Sequence, residues 1–283
     1  MGNTPIYRTR AGTRVRTRAR TRVVIRLAMT GVLGACAHLG VPGPVVADRP
    51  GYTDTPVALA GGAVQLEAGA TDDRVGPSGS RTEYFSAGET LLRLGLGART
   101  EARLFGNSYG FRSASGAPRT GGVEDFKLGA KLNLRSAPDS VHSWAPNVAL
   151  LAATTLPTGA SGFGAGSSQP EVKVAMNWTT ASPFSLYTNV GYSDIVNETG
   201  RAGKGWVSAA SWWAINPRLS VFAEGLAIGR VHGSGSGTAG NDVDGGLTFL
   251  INDRLQLDVR VGRGLGSETG SERFVGAGLA KRW

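Results

Sequence analysis

Polar and apolar positions alternate with a period of two along most of the chain, in runs of about ten residues separated by turn-forming residues. Between Val123 and Arg135, one parity carries Asp125, Lys127, Gly129, Lys131, Asn133 and Arg135. The other carries Phe126, Leu128, Ala130, Leu132 and Leu134. Successive side chains of a strand point to opposite faces, so this run builds one charged face and one apolar face. Residues 171–178 repeat the pattern, with Glu171, Lys173 and Asn177 opposed to Val172, Val174, Met176 and Trp178. Residues 255–261 oppose Gln256, Asp258 and Arg260 to Leu255, Leu257, Val259 and Val261.

Carried along the chain, the alternation predicts strands over 62–71, 82–95, 100–110, 122–135, 146–157, 169–180, 184–194, 205–215, 219–230, 241–251, 255–263 and 272–283. Short connections fall at 96–99, 181–183, 216–218 and 252–254, and a somewhat longer one at 136–145. Long ones fall at 72–81, 111–121, 158–168, 195–204, 231–240 and 264–271. Tight turns on one side and longer loops on the other are the habit of outer-membrane barrels, and a β-sandwich has no reason for them. The expected fold is all-β: a transmembrane antiparallel β-barrel of about twelve strands over 62–283, with N- and C-termini periplasmic.

Aromatic positions bear on this orientation. Trp144, Trp178, Trp212, Trp213 and Trp283 fall near the short-turn rim and are expected as membrane-interface aromatics, while Trp206 alone falls near the other rim. Residues 274–283 end on Trp283, with Leu279, Ala277 and Val275 on its face. They resemble the terminal strand that the barrel assembly machinery reads. Lys281 departs from the hydrophobe usual there and can snorkel at the rim.

Composition removes other classes. Forty-three glycines work against helices, and no stretch of about 18 apolar residues offers a helical span. The net charge of +9 hints at a nucleic-acid partner, but eight arginines and no acid lie in residues 1–47, leaving +1 for the rest. Residues 1–47 have a basic start, an apolar stretch from Leu27 to Val46 and small residues before Asp48. They are expected as a removed signal peptide cut after Val45-Val46-Ala47. A rival reading takes Leu33-Gly34-Ala35-Cys36 as a lipoprotein box with Cys36 lipidated. Residues 48–61 are expected as a short N-terminal periplasmic segment.

Little in this chain points to chemistry. A barrel hydrolase needs a His–Ser pair, and after residue 47 only His142, beside Ser143, and His232, before Ser234 and Ser236, are available. Two histidines without cysteine make no metal cluster, and Gly162-Phe163-Gly164-Ala165-Gly166 lacks the Lys-Ser/Thr of a phosphate loop. No catalysis, metal or cofactor is expected. By parity, Glu67, Glu89, Arg93, Glu101, Arg103, Asp125, Lys127, Lys131, Glu171, Lys173, Glu224, Asp244, Asp258 and Arg260 face the lumen.

Eight strands enclose little beyond side chains and sixteen to eighteen hold an open pore, so about twelve imply a narrow or gated channel. The mixed signs imply no ion preference. The expected function is passive passage of small molecules, aromatic or apolar ones included. Alternatives are a structural or adhesive barrel with a closed lumen and, third, a lipid-modifying barrel enzyme. Expected partners are outer-membrane lipid, the assembly machinery and a small solute, with no nucleic acid.

Several blocks together resemble the family named for the MetA pathway of phenol degradation. They are Asp48-Arg49-Pro50, Leu91-Leu92-Arg93-Leu94-Gly95-Leu96, Gly122-Val123-Glu124-Asp125-Phe126-Lys127-Leu128-Gly129-Ala130-Lys131, Leu156-Pro157-Thr158-Gly159, Asn189-Val190-Gly191-Tyr192, Val221-Phe222-Ala223-Glu224 and Leu255-Gln256-Leu257-Asp258-Val259-Arg260-Val261-Gly262. The family more often carries Gly-x-Gly-Asp where this chain has Val-Glu-Asp. The resemblance implies a bacterial outer-membrane barrel, often described as a transporter, without a defined substrate.

Overall fold

A computed structural model describes residues 43–76, 81–106, 108–114, 116–137, 144–179, 183–235, 239–265 and 273–283. Cys36, His142, Ser143, Ser236 and most of the expected signal peptide lie outside the described residues.

The described chain forms β1 (Val64–Val75), β2 (Thr82–Gly95), β3 (Thr100–Phe105), β4 (Tyr109–Ala114), β5 (Thr120–Val123), β6 (Phe126–Arg135) and β7 (Asn147–Leu156). They are followed by β8 (Gln169–Thr179), β9 (Phe184–Asn197), β10 (Gly200–Ala214), β11 (Leu219–His232), β12 (Gly240–Asn252), β13 (Leu255–Gly264) and β14 (Arg273–Arg282). Each pairs antiparallel with its neighbours, and β1 pairs with both β2 and β14, so the sheet closes. β2 pairs with both β3 and β4, β3 with β6 and β4 with β5. β3 and β4 are therefore two halves of one wall strand, as are β5 and β6. The barrel has twelve wall strands and each predicted strand is present.

The faces follow from the alternation. Leu128 and Leu132 on β6 and Leu257 and Val259 on β13 are exposed on the outside, while Lys131, Asn133, Gln256 and Asp258 on the same strands are buried inside. This inverts the pattern of a water-soluble domain, because the outer face is built to meet hydrocarbon and the inner face holds charge. On β2 the parity slips at a bulge, where Gly88 takes φ +76° and the register with β1 shifts between Gly69 and Ala70. The slip lets Ser86 on one side, and Glu89, Leu91 and Arg93 on the other, all face inward.

Three expected long connections are shorter than anticipated. β1 runs to Val75, β4 and β5 approach each other at Ala114 and Thr120, and β9 and β10 leave only Glu198 and Thr199 between them. Beyond the apolar band both faces can be polar, so alternation fades while backbone pairing continues. The first residues of β1 and the last of β14 lie together at the short-turn end, where Gln65 pairs with Arg282.

One element departs more strongly from expectation. Within the segment 48–61, expected as short and periplasmic, residues 48–59 lie inside the wall, where Asp48, Thr53, Asp54, Thr55 and Leu59 are buried. Charged and hydroxyl-bearing residues there find partners on the polar inner face that water outside would otherwise supply.

Candidate functional site: the barrel interior

The interior is organised around a loop of chain from Val45 to Leu59. Its hub is Asp48, whose carboxylate meets the guanidinium of Arg103, the Nζ of Lys131 at 3.1 Å and Arg93 at 3.5 Å. Burial alone would raise this carboxyl, but the charges of Arg93, Lys131 and Arg103 outweigh it and hold it well below the usual carboxylate range. Thr55 donates its backbone N–H to the same carboxylate at 2.9 Å, closing the loop 48–55 on itself. Arg93 also pairs with Glu67 at 3.1 Å and Glu101 at 2.9 Å, and all three side chains are fully buried. Three cations, Arg93, Arg103 and Lys131, thus face three carboxylates, Asp48, Glu67 and Glu101.

The loop reaches other parts of the wall through its remaining residues. Arg49 pairs with Glu89 on β2 at 3.1 Å and Asp258 on β13 at 3.4 Å. Tyr52 donates its N–H to Glu224 on β11 at 2.6 Å, and Thr53 donates its hydroxyl to the same carboxylate. Asp54 pairs with Lys173 on β8 and exchanges two hydrogen bonds with Asn189 on β9, at 2.9 and 3.0 Å. Leu59 donates its N–H to Glu101 on β3 at 2.9 Å. The segment therefore crosses the lumen from side to side.

Charge on the wall is unevenly distributed. Strands β3, β6, β8 and β10 carry Arg103, Lys127, Lys131, Lys173 and Lys204 against Glu101 and Glu171, whereas β11, β12 and β13 carry Glu224, Asp242, Asp244 and Asp258 against Arg260. The threaded loop complements both sides: Asp48 and Asp54 meet the cationic strands, and Arg49 meets Asp258. On β13, Arg260 lies 3.8 Å from Asp244 and over the rings of Tyr52 and Phe274, at 5.2 and 5.1 Å.

Space remains on both sides of the loop. Toward the longer loops, a cavity of about 390 Å³ is lined by Arg49, Tyr52, Glu89, Arg103, Phe105, Lys127 and Arg260, among others. Two cations lie over the Phe105 ring, Arg103 and Lys127, at 5.3 and 5.1 Å from its centroid. Toward the short turns, a cavity of about 180 Å³ is lined by Val45, Thr53, Tyr187, Trp212, Thr248 and Gln256.

The wall residues expected by parity fall as follows. Arg93, Glu101, Arg103, Lys131, Glu224, Asp244 and Asp258 are buried inside, and Glu89, Lys127, Glu171, Lys173 and Arg260 are partly buried there. Lys127 pairs with Glu171 at 3.1 Å. Asp125 also borders the larger cavity, from the link between β5 and β6 rather than from within a strand. Its carboxylate accepts the backbone N–H of Thr158, Gly159 and Ala165 at 3.0, 2.7 and 2.7 Å. It thereby shapes the loop that sets Phe163 beside Tyr84, with ring centroids 6.4 Å apart.

Trp212 corrects the aromatic expectation. Its ring faces inward, stacks on Phe222 at 4.7 Å and lines the smaller cavity. Trp213 points the other way, 5.8 Å from Phe184. Adjacent residues on one strand cannot both face lipid. Trp144 and Trp283 are exposed, and Trp178 donates its indole N–H to the Trp144 carbonyl at 3.1 Å.

The hydrolase constellation does not assemble among the described residues: the His232 ring meets the Tyr192 hydroxyl at 3.0 Å, and the Ser234 hydroxyl meets Thr199 at 3.3 Å. Nor do the described residues hold a group of three or more His, Cys, Asp or Glu suited to a metal ion.

What parity could not reveal is the role of residues 45–59, which form no strand. The available signal was compositional: Asp48, Arg49, Thr53, Asp54 and Thr55 cluster in a run without alternation, next to a barrel whose inner face needed partners.

A closed twelve-stranded antiparallel wall, charged within and apolar without, defines a β-barrel of the outer-membrane type. The chain matches the model of the family described as "Putative MetA-pathway of phenol degradation" over residues 47–283 and belongs to that family. Among solved structures it is similar to the COG4313 outer membrane channel of Pseudomonas putida F1, at 14% identity and a TM-score of 0.58, covering 83% of this chain and 99% of that one. It is also similar to the translocator domain of the autotransporter NalP from Neisseria meningitidis, at 11% identity and a TM-score of 0.50, covering 90% and 93%. No curated protein sequence matches it.

Proposed function

We propose that this protein is an outer-membrane channel through which small solutes pass passively, with the loop 45–59 as its constriction. The observation that carries this is the pair of cavities, about 390 and 180 Å³, on opposite sides of a loop held by side chains rather than by sheet pairing. A lumen lined with both signs of charge is a polar route, and Phe105 and Tyr52 add aromatic surface for solutes with an apolar part. The P. putida protein of similar fold is an outer membrane channel, which agrees with this reading. Export through the inner membrane, both termini on the periplasmic side, Trp144, Trp178, Trp213 and Trp283 at the lipid interface, and delivery by the assembly machinery through β14 belong to the same proposal. So does the absence of covalent chemistry.

The many anchors on the loop favour one rival, a barrel whose lumen is permanently closed and whose work is structural. Planar-bilayer recording of the refolded protein decides between them. Discrete conductance steps, enlarged when Arg49 and Asp54 are replaced by Ala, support the channel. No conductance in either protein rejects it and leaves the closed barrel.

A further inference from the structure

The segment just before Asp48 is built into the barrel. Val45 is 5% exposed and donates its backbone N–H to the Asp253 carbonyl in the β12–β13 turn at 2.8 Å. The Val46 carbonyl accepts hydrogen bonds from Gln65 at 3.0 Å and from the fully buried Arg93 at 2.9 Å. The carbonyls of Gly43 and Pro44 both accept from Arg282, near the end of β14. Residues 43–47 thus tie the start of the interior loop to the strand that closes the barrel.

A cut after Ala47 would remove all of these contacts. It would also turn the Asp48 amide, which donates to Glu67 at 3.0 and 3.2 Å, into an ammonium. That adds a fourth positive charge to a buried cluster in which Arg93, Arg103 and Lys131 already balance Asp48, Glu67 and Glu101. Even beside Glu67, a net excess of positive charge in so dry a place is costly, and so is a buried guanidinium donor left without its carbonyl.

We propose that Gly43–Ala47 remain on the exported chain as part of the barrel interior, and that signal peptidase hydrolyses the Ala37–His38 bond instead of the bond after Ala47. Ala35-Cys36-Ala37 places small residues three and one positions before that bond, the pattern such a protease accepts. Water supplies the hydroxyl of the new Ala37 carboxyl and the hydrogen of the new His38 amine. The inference rests on the reading of this protein as an exported barrel.

The test is the intact mass of the protein recovered from the outer membrane, for the wild type and for Ala37→Leu and Ala47→Leu. A bulky residue beside the cleaved bond stops the protease, so Ala37→Leu loses processing and accumulates precursor. Ala47→Leu is processed like the wild type, whose mass begins at His38. A wild-type mass beginning at Asp48, or loss of processing in Ala47→Leu alone, overturns the proposal. A diacylglyceryl adduct on Cys36 overturns it in favour of lipidation. A chain found only inside the cell, with residues 1–37 attached, overturns the export reading and this proposal with it.

Discussion

Gly69 on β1 and Gly278 on β14 are paired directly across the seam that closes the barrel, and the guanidinium of Arg49 lies in the space left by their missing side chains. A Cβ at Gly69 would overlap the Arg49 guanidinium, and one at Gly278 would overlap its Nε and press on the Ala68 carbonyl. From this notch Arg49 reaches Asp258 and the Ala277 carbonyl, at 3.4 and 3.2 Å. The two glycines thereby make the seam a docking point for the interior loop.

The first prediction follows from that notch. Gly69→Leu, where the nearest atoms all belong to the Arg49 side chain, should push the guanidinium aside and cost about 1.5–3 kcal/mol, the range for hydrogen bonds to charged groups. Adding Arg49→Ala should cost little more, since the contacts are already lost. Thermal unfolding of the single and double variants in detergent checks this, and additive losses would mean that the notch and Arg49 act independently.

The two faces of the wall should respond unequally. Leu128 and Val259 are 37% and 44% exposed on the outside. Arginine at either position should cost about 2–4 kcal/mol in lipid near mid-depth, whereas Lys127→Leu, which changes the lumen side, should cost less. Folding yield and denaturant midpoints in lipid vesicles measure the difference. Equal tolerance at both faces would place the outer surface somewhere other than in hydrocarbon.

Asp48 gives a pH dependence with a defined sign. Its carboxyl is held below the usual range in the folded protein, so its contribution is complete above the unfolded value of about 3.9. The contribution is lost as pH falls through the lower folded value. Asp48→Asn should therefore cost about 3–5 kcal/mol at neutral pH by leaving three buried cations short of a partner. It should also flatten the loss of stability on acidification below roughly pH 4. Unfolding midpoints measured against pH for both proteins test this.

Charge reversal should sort the inward cations into two groups. Lys127 and Arg260 border the larger cavity, so Lys127→Glu and Arg260→Glu should move the reversal potential under a salt gradient toward cation preference. Arg93 and Lys131 are committed to Asp48, Glu67 and Glu101. Reversing either should lower the unfolding temperature or abolish folding, because it buries carboxylates together. Similar selectivity shifts at all four positions would contradict this division.

Much of the fold was legible because a barrel strand is a local pattern. The side chains of 126–135 declare their two faces without reference to any distant residue, and Asn216-Pro217-Arg218 ends one strand and permits the next by turn chemistry alone. The inward charges followed from the same parity. The aromatic expectation failed at Trp212, because it followed position along the strand and not parity, which gives the lipid face to Trp213; Asp125 borders the larger cavity, but from the link between two half-strands.

The sequence by itself determined an inside-out β-barrel of twelve wall strands, because period-two alternation between polar and apolar residues is written residue by residue. Only the tertiary structure decided what fills it. Asp48 meets Arg103 and Lys131 across separations of 55 and 83 residues, and Arg49 meets Asp258 across 209. Such pairs have no period and no spacing rule; they exist once the wall has closed, and its buried charges then need partners that water can no longer supply.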